Sequence, residues 1–290
     1  MLYLLLITTT LMQSGKSLLF KKIGVDYQSN KQFFGLNGFS FGVAAIIAAL
    51  IACLNIDSLL SLSPFTVMMA AFFALAVIGM CLTQMKALSL GTTSSTMMIF
   101  SCGFLIPVIF GTVAYGEKIL WVDIVALVLM IISLFLIINP DKSSKVSAKW
   151  LFFTLVAMTC SGTLAVLQKI HQHSSHAHEF LGLSVLEFLF ACIILSFLSL
   201  VAPKPQGYAP PQKRELSFGL INGLFLSLPS IINLFLAGKF PAIIMFPIYN
   251  MGSIILSSVL GGIIYREKQT AKGIVGFIIG CTAVLLIGIF

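Results

Sequence analysis

Charged side chains are scarce in this chain. Only 9% of its 290 residues are Asp, Glu, Lys or Arg, whereas soluble domains carry roughly a quarter. Hydrophobic residues make up 59% of the chain, and its mean hydropathy is +1.07. No soluble core is that apolar, so the composition excludes an ordinary soluble domain and predicts a protein built for a membrane.

The usual signatures of catalysis and metal binding are also missing. The six cysteines match no metal-ligand spacing and indicate small buried hydrophobic residues, without a disulfide framework. His-Glu-x-x-His is absent, and the apolar segments hold no clustered nucleophile, base or metal ligands. Gly15-Lys16-Ser17 imitates the end of a phosphate-binding loop, but Thr10 occupies the place of its leading glycine. We therefore expect no enzyme, no cofactor, no bound metal and no ATP-driven pump.

Ten apolar stretches are long enough to cross a bilayer as helices, which takes about 20 residues each. The first has no basic residues before it and no small-residue cleavage site, so we expect a retained helix and not a signal peptide. The sequence thus predicts an all-α, multi-pass protein of the cell (plasma or inner) membrane. The predicted stretches are residues 1–20, 35–54, 64–88, 91–114, 120–139, 149–170, 180–202, 216–238, 241–263 and 270–290.

A tetrapeptide recurs along the chain. Tyr115-Gly116-Glu117-Lys118 returns 150 residues later as Tyr265-Arg266-Glu267-Lys268, each after a Gly-rich apolar segment. Lys22 likewise returns as Lys169, at a spacing of 147. The shared register predicts an internal duplication. Its parts would be a first five-helix repeat over residues 1–139, a linker over 140–148 and a second five-helix repeat over 149–290.

The charge of the loops indicates how the helices insert. Loops after odd-numbered helices hold 13 lysines and arginines, and loops after even-numbered helices hold 3. Because basic loops stay on the cytoplasmic side, both termini are predicted to lie outside. An odd number of helices per repeat turns the second repeat upside down, and matching loops carry the opposite charge bias that an inverted repeat requires. The net charge of +8 is therefore explained without a nucleic-acid partner.

Two segments carry a family resemblance. They are Gly111-Thr112-Val113-Ala114-Tyr115-Gly116-Glu117 and Gly261-Gly262-Ile263-Ile264-Tyr265-Arg266-Glu267, which both end in a glutamate at a turn. With the two five-helix halves, they resemble the drug/metabolite transporter superfamily, specifically EamA-like transporters, over nearly the whole chain. The resemblance implies a ten-helix exporter or exchanger of small metabolites, with a central cavity between the halves. The chain departs from it at Glu187-Phe188, where the family often has an arginine before the aromatic residue.

Polar side chains at bilayer depth are costly, so they tend to face a cavity or a neighbouring helix. Several share helix faces at the 3.6-residue period and are predicted to line one central pathway. Amides and hydroxyls there would hydrogen-bond a polar metabolite, and a lysine would attract its anionic group. The alternatives are interhelical hydrogen bonds and, for the lysine, snorkelling to a helix end about one turn away. The predicted substrate-binding residues are Gln13, Lys16, Gln84, Asn222, Asn233, Phe246, Asn250 and Ser253.

Glu187 lies about two turns into the seventh predicted helix, too deep for comfortable snorkelling. One hypothesis makes it a proton-coupling carboxylate that binds and releases a proton in alternation with substrate. The other hypothesis is a structural pairing with a hydroxyl or an amide on a neighbouring helix.

All histidines of the chain fall in one predicted outside loop, at His171, His173, His176 and His178. Two His-x-His pairs offer ligands for zinc or nickel. A flexible exposed loop has no fixed geometry, however, so we predict a solvated polar loop or a weak pH-sensitive patch.

Glutamates and glycines near helix ends have structural interpretations. We expect Glu117 and Glu267 each to cap the helix that follows it, because a carboxylate is stabilised at the positive end of a helix. Gly276 and Gly280 form a Gly-x-x-x-Gly pair that permits close helix contact. That contact is made either within one chain or in a homodimer.

These features together predict a secondary transporter, an exporter or exchanger that moves a small organic metabolite by alternating access. Two alternatives stay open. One is a multidrug efflux transporter for cations, which the lysine in the predicted pathway disfavours. The other is a non-transporting membrane subunit of a lipid-modifying complex, in which the polar residues would face a partner chain.

Overall fold

The computed structural model describes residues 1–23, 29–53, 62–91, 93–137, 147–204, 212–265 and 271–289. Within these ranges the regular structure is helical, and no strand occurs in them. The prediction of an all-α bundle of about ten helices is confirmed. The helices are α1 (Leu2–Ile23), α2 (Asn30–Ala52), α3 (Pro64–Leu90), α4a (Thr93–Ser101), α4b (Leu105–Tyr115), α5 (Trp121–Ile137), α6 (Ala148–Gln172), α7 (Phe180–Val201), α8 (Lys213–Ala237), α9 (Ala242–Tyr265) and α10 (Ala271–Ile289).

Six of the described helical segments are long and apolar enough to cross a membrane. They are α2, α3, α6, α7 with the turn before it, α8, and the joined fourth helix from Thr96 to Tyr115. The apolar parts of α5, α9 and α10 are shorter, and α1 carries a polar run from Thr8 to Ser17. Large apolar side chains cover the outside of the bundle, such as Trp121 at 83% exposure. A surface of this kind suits a hydrocarbon environment.

Serines begin three of the helices. Ser29, Ser63 and Ser147 precede α2, α3 and α6, and each hydroxyl accepts a hydrogen bond from the backbone N–H three residues later. Such N-caps satisfy a donor that the helix itself leaves unpaired. The cap at Ser29 explains why α2 begins at Asn30, five residues before the apolar stretch begins at 35. Hydrophobicity alone does not reveal a polar first turn.

Helices of the two predicted repeats are interleaved in the bundle. α2 packs along α7, α5 along α10, and α3 along α6. α1 contacts α8 and α9, and α8 also contacts α2. Helices five places apart are equivalent in the two predicted repeats. Replacing each helix by its equivalent turns the α3–α6 contact into α8–α1, and the α2–α8 contact into α7–α3. All four contacts occur in the structure. The packing therefore agrees with two halves of similar arrangement, while the repeat boundaries stay a prediction.

The paired glycines of α10 lie against α5. The Ser133 hydroxyl on α5 donates a hydrogen bond of 2.7 Å to the Gly276 carbonyl. A Cβ atom added at Gly276 would lie 2.6 Å from the Leu136 Cβ and 3.0 Å from the Ile137 backbone nitrogen, and one at Gly280 would lie 2.5 Å from the Ser133 Oγ. This face is thus occupied within the chain. A homodimer stays a prediction and would use another surface.

The close contact makes a testable prediction. Gly276→Ala is expected to destabilise the protein by about 1–3 kcal/mol, because the added methyl group meets a backbone nitrogen that cannot rotate away. Thermal unfolding of the purified protein in detergent measures the change. Val275→Leu adds volume on the same helix at a side chain that is 49% exposed, and it should leave unfolding unchanged. A Gly276→Ala protein as stable as wild type would contradict the α5–α10 contact.

Candidate functional site

A polar interior begins where α1 meets α8 and α9. The Ser14 hydroxyl on α1 donates a hydrogen bond of 3.0 Å to the Ser253 carbonyl on α9. The next residue, Gly15, approaches the Phe225 ring on α8, which a Cβ atom would reach at 3.6 Å. Gln13, in the same turn, is half-buried. The structure therefore puts Gln13 and Ser253, both predicted site residues, on neighbouring helices.

Lys16 and Gln84 connect this interior to α3. The Lys16 ammonium lies within electrostatic reach of the Cys81 thiol on α3. Gln84, one turn further along α3, donates a hydrogen bond of 3.8 Å to the Met97 sulfur on α4a. Because α1 continues to Ile23, Lys16 lies about two turns from the helix end, and the predicted distance of one turn is wrong. This greater depth weakens the snorkelling interpretation.

Glu187 on α7 is 6% exposed and contacts α8. Its Oε1 atom accepts a hydrogen bond of 3.0 Å from the Ser230 hydroxyl. Its Oε2 atom is buried and has no hydrogen-bond partner. A structural pairing with a neighbouring hydroxyl is therefore present, and one carboxylate oxygen is left over.

Asn233 extends the polar contact from α8 to α9. It lies one turn after Ser230 on the same face of α8 and is 6% exposed. Its side chain lies close to the Tyr249 hydroxyl on α9, and its buried Oδ1 atom has no hydrogen-bond partner. We call Glu187, Ser230, Asn233 and Tyr249 the polar seam. Ser230 and Tyr249 are not among the predicted site residues, although the one-turn spacing of Ser230 and Asn233 is visible in the sequence.

Asn222 lies three turns before Asn233 on α8, where the helix approaches α2. A Cβ atom at the adjacent Gly223 would lie 2.7 Å from the Ser40 carbonyl of α2, and Asn222 itself is 5% exposed. In the described part of the chain, four buried side-chain atoms lack a hydrogen-bond partner. They are Glu187 Oε2, Asn222 Oδ1, Asn233 Oδ1 and His171 Nδ1. The first three belong to residues that the sequence predicted to bind substrate or to carry a proton.

The remaining predicted residues on α9 use their polar atoms locally. Phe246 is 3% exposed and packs in the hydrophobic core with Phe240 and Met245. The Asn250 amide donates a hydrogen bond of 2.9 Å to the Phe246 carbonyl, and the Ser253 hydroxyl donates one of 2.8 Å to the Asn250 carbonyl. The structure therefore does not bring these three residues into the polar seam.

The backbone is irregular in the fourth helix, α8 and α9. The fourth helix is interrupted by a 3₁₀ turn at Cys102–Phe104, and α8 and α9 contain Pro229 and Pro247. Proline has no backbone N–H, so each removes one helical hydrogen bond. In membrane proteins, irregular backbone is tolerated where protein or a cavity surrounds it. These breaks agree with a site in the middle of the bundle.

A second polar group closes one end of the bundle, where α4b, α6 and α9 meet. Lys169, near the end of α6, is 1% exposed and forms an ion pair with Glu117 Oε1. It also donates a hydrogen bond of 2.8 Å to the Phe240 carbonyl. Glu117 Oε2 accepts a hydrogen bond of 2.6 Å from the N–H of Ala242, the first residue of α9. Both charged residues belong to the sequence repeat, but their pairing was not predicted.

The expected role of Glu117 as a cap for the following helix is wrong. It caps α9, a helix of the other predicted repeat, because the αL turn at Gly116 directs the chain back over α4b. Asp123 caps α5 instead, by accepting a hydrogen bond of 2.8 Å from the Leu120 N–H. The same expectation for Glu267 falls outside the described residues.

The histidine run is more buried than predicted. His171 is fully buried in the last turn of α6, and its ring nitrogen lies 3.3 Å from the Thr66 hydroxyl. His176 pairs with Glu179, whose other oxygen accepts hydrogen bonds from the hydroxyl and the N–H of Ser63 at 2.8 and 3.0 Å. The prediction of a solvated loop is wrong for His171, because α6 reaches Gln172 and the following turn packs on the start of α3, whereas His173 and His178 are exposed. The described residues contain no group of three or more His, Cys, Asp or Glu that could hold a metal ion.

A helical bundle with an apolar exterior and a polar interior defines a multi-pass, all-α membrane protein. Residues 148–289 match the sequence profile of the EamA-like transporter family. This part of the chain matches that family, in keeping with the drug/metabolite transporter superfamily. The sequence resemblance is thereby confirmed.

The whole chain shares its fold with proteins of known structure. No functionally curated protein matches it. Among 28 matching chains of solved structures is a crystal structure described only as that of a protein. It superposes with a TM-score of 0.79 at 12% sequence identity, over 99% of this chain and 98% of the other. At that identity the likeness establishes the fold alone.

The unpaired amide oxygen of Asn222 makes a prediction about stability. Asn222→Leu is expected to raise the free energy of unfolding by about 1 kcal/mol, because it removes a buried acceptor without a partner. Ser133→Ala removes a satisfied hydrogen bond and should lower that free energy by about 0.5–1.5 kcal/mol. Unfolding in detergent without added ligand compares the two. A clear loss of stability in Asn222→Leu would mean that its amide is needed for the fold.

Proposed function

We propose that the chain is a secondary transporter that moves a small polar organic metabolite across the cell membrane by alternating access. The match of residues 148–289 to the EamA-like transporter family supports a transporter. The observation that carries the proposal is the set of buried acceptors without partners, Glu187 Oε2, Asn222 Oδ1 and Asn233 Oδ1. Each costs about 1–3 kcal/mol while it stays unpaired, so a ligand that supplies donors is stabilised there.

The chemistry of the interior suggests what the metabolite carries. The unpaired atoms accept hydrogen bonds, so the metabolite presents N–H or O–H donors to α7 and α8. Lys16 on α1 attracts an anionic group, and Gln13 and Gln84 offer amides beside it. A metabolite with both a negative charge and several donors satisfies both sides of this interior.

The burial of these groups weighs against the two alternatives. A subunit of a lipid-modifying complex would turn its polar residues toward a partner chain, yet Asn222 and Asn233 are only 5% and 6% exposed. A multidrug transporter for cations would need an interior free of positive charge, yet Lys16 lies two turns inside α1. The matched family consists of transporters, so we also propose that the chain is not an enzyme.

Glu187 supports a second part of the proposal, the coupling of transport to protons. Its Ser230 contact accounts for one carboxylate oxygen, and the second oxygen is open to a proton or to a substrate donor. Binding of the two at one atom would be mutually exclusive, which is the basis of exchange. The energy for uphill transport would then come from a proton gradient.

A thermal-shift screen tests the proposed ligand class. The purified protein is heated with amino acids, nucleotides, sugars, polyamines or cationic dyes, and a native-state ligand at 100 times its Kd adds about 2.7 kcal/mol of stability. We expect an anionic metabolite class to raise the Tm of wild type but not that of Lys16→Met. Lys86→Met, an exposed lysine on α3, is the matched control and should keep the shift. A shift by cationic dyes alone would favour multidrug efflux, and no shift by any compound would favour a partner-dependent subunit.

Glu187→Gln tests the coupling. In proteoliposomes with a fixed pH gradient, wild type should accumulate the ligand found in the screen. The Gln variant should still exchange labelled for unlabelled ligand but lose accumulation, because an amide cannot carry the proton. Ser230→Ala removes only the hydroxyl partner and should retain accumulation. If Glu187→Gln accumulates the ligand as well as wild type does, Glu187 has only a structural role in its pairing with Ser230.

A further inference from the structure

Three parts of the chain are tied together at one end of the bundle. The Lys169 ammonium contacts Glu117 and the Phe240 carbonyl, and Glu117 also accepts the Ala242 N–H. We call these four residues the latch. They join the end of α4b, the end of α6 and the start of α9. By the charge of the loops, this end is the outer one.

Two glycines allow the latch to form. Gly116 is in the left-handed region at φ 63°, and it turns the chain so that the Glu117 N–H bonds back to the Gly111 carbonyl at 3.2 Å. A Cβ atom at Gly111 would lie 2.5 Å from Glu117 Oε2 and 3.0 Å from the Ala242 Cβ. Gly111 is therefore required for the close approach of α4b, the carboxylate and α9.

Other polar contacts between the predicted repeats differ from the latch. The Gln32 amide donates a hydrogen bond of 2.6 Å to Glu215 at the inner end, and Glu179 accepts bonds from Ser63 at the outer end. The Gln32–Glu215 contact joins α2 to α8, and the Ser63–Glu179 contact joins α3 to α7. These two contacts lie at opposite ends of the bundle and are both formed in this structure, so neither one distinguishes an open end from a closed one. The latch instead joins the end of α4b to the start of α9. α4b begins at the 3₁₀ turn and α9 contains Pro247, so both helices lead from the latch to the irregular interior.

We propose that the latch holds the outer end of the transport pathway closed, and that its separation admits substrate from that side. This inference rests on the proposed function. Both charges lie at helix ends, so when the start of α9 moves away from α4b, each regains water. While the end is closed, Lys169 and the positive N-terminus of α9 balance the charge of Glu117, so the carboxylate needs no water. The contact is thus stable when closed and still able to open.

Chemical labelling of a buried position measures the closure directly. Met245 is 0% exposed in the first turn of α9, so Met245→Cys reports access from the outer end. The protein is placed in lipid nanodiscs and treated with a charged maleimide, and mass spectrometry quantifies each cysteine separately. Exposed Cys53 monitors the reagent, and half-buried Cys160 in α6 monitors the integrity of the bundle.

In this background, Lys169→Met and Glu117→Gln are expected to raise the labelling rate at position 245 at least about tenfold, with Cys160 unchanged. Gly111→Ala keeps both charges and should give a smaller rise in the same direction, because its methyl group wedges the latch apart. Lys239→Met and Lys118→Met, exposed lysines next to the latch, are the matched controls and should label like the parent.

Two results would overturn the inference. One is unchanged labelling at position 245 in Lys169→Met, Glu117→Gln and Gly111→Ala alike. The other is an equal rise at Cys160, which would make the latch a support of the whole fold and not of one end. Labelling requires no substrate, so its outcome is independent of the ligand screen. A screen without any ligand would defeat the proposed function, whereas a labelling rate that does not respond would defeat the latch alone.

Discussion

The structure depends on one constraint, which is that polar groups inside a bilayer must find partners without water. Most hydroxyls in the bundle meet it within their own helix. Thr10 and Thr112, for example, donate to carbonyls one turn earlier at 2.7 and 3.0 Å. Such residues have no hydrogen-bond donor left for a ligand. The few acceptors that the chain leaves unpaired in its interior are therefore significant, because the rest of the bundle has been arranged to avoid that cost.

The length and hydrophobicity of the segments predicted the helices because both are local properties of the chain. Depth was also predictable, and it singled out Glu187 and Asn233 correctly as buried polar groups. Rotation was not. Asn250 was chosen on α9, but the neighbouring Tyr249 reaches Asn233, and one residue turns a helix by about 100°. In a helix that is apolar nearly all round, the hydrophobic pattern does not mark which face meets a neighbour.

Contacts between helix ends were the least predictable part. The local sequence around Glu117 gave the following helix as its target, whereas the carboxylate caps a helix 125 residues away. The repeat register had picked out Lys169 and Glu117 separately. Only the arrangement of α4b, α6 and α9 brings them together. The burial of His171 has the same origin, because it depends on how far α6 extends and on what packs over its end.

The latch also constrains how this protein can change over evolutionary time. Lys169 is 1% exposed and Glu117 13%, so their losses are not equivalent. If Lys169 is replaced first, the glutamate keeps the Ala242 N–H, the positive end of α9 and some water. If Glu117 is replaced first, a buried ammonium keeps only a carbonyl. Descendants that dispense with the pair should therefore pass through a neutral residue at position 169 before position 117 is free to vary.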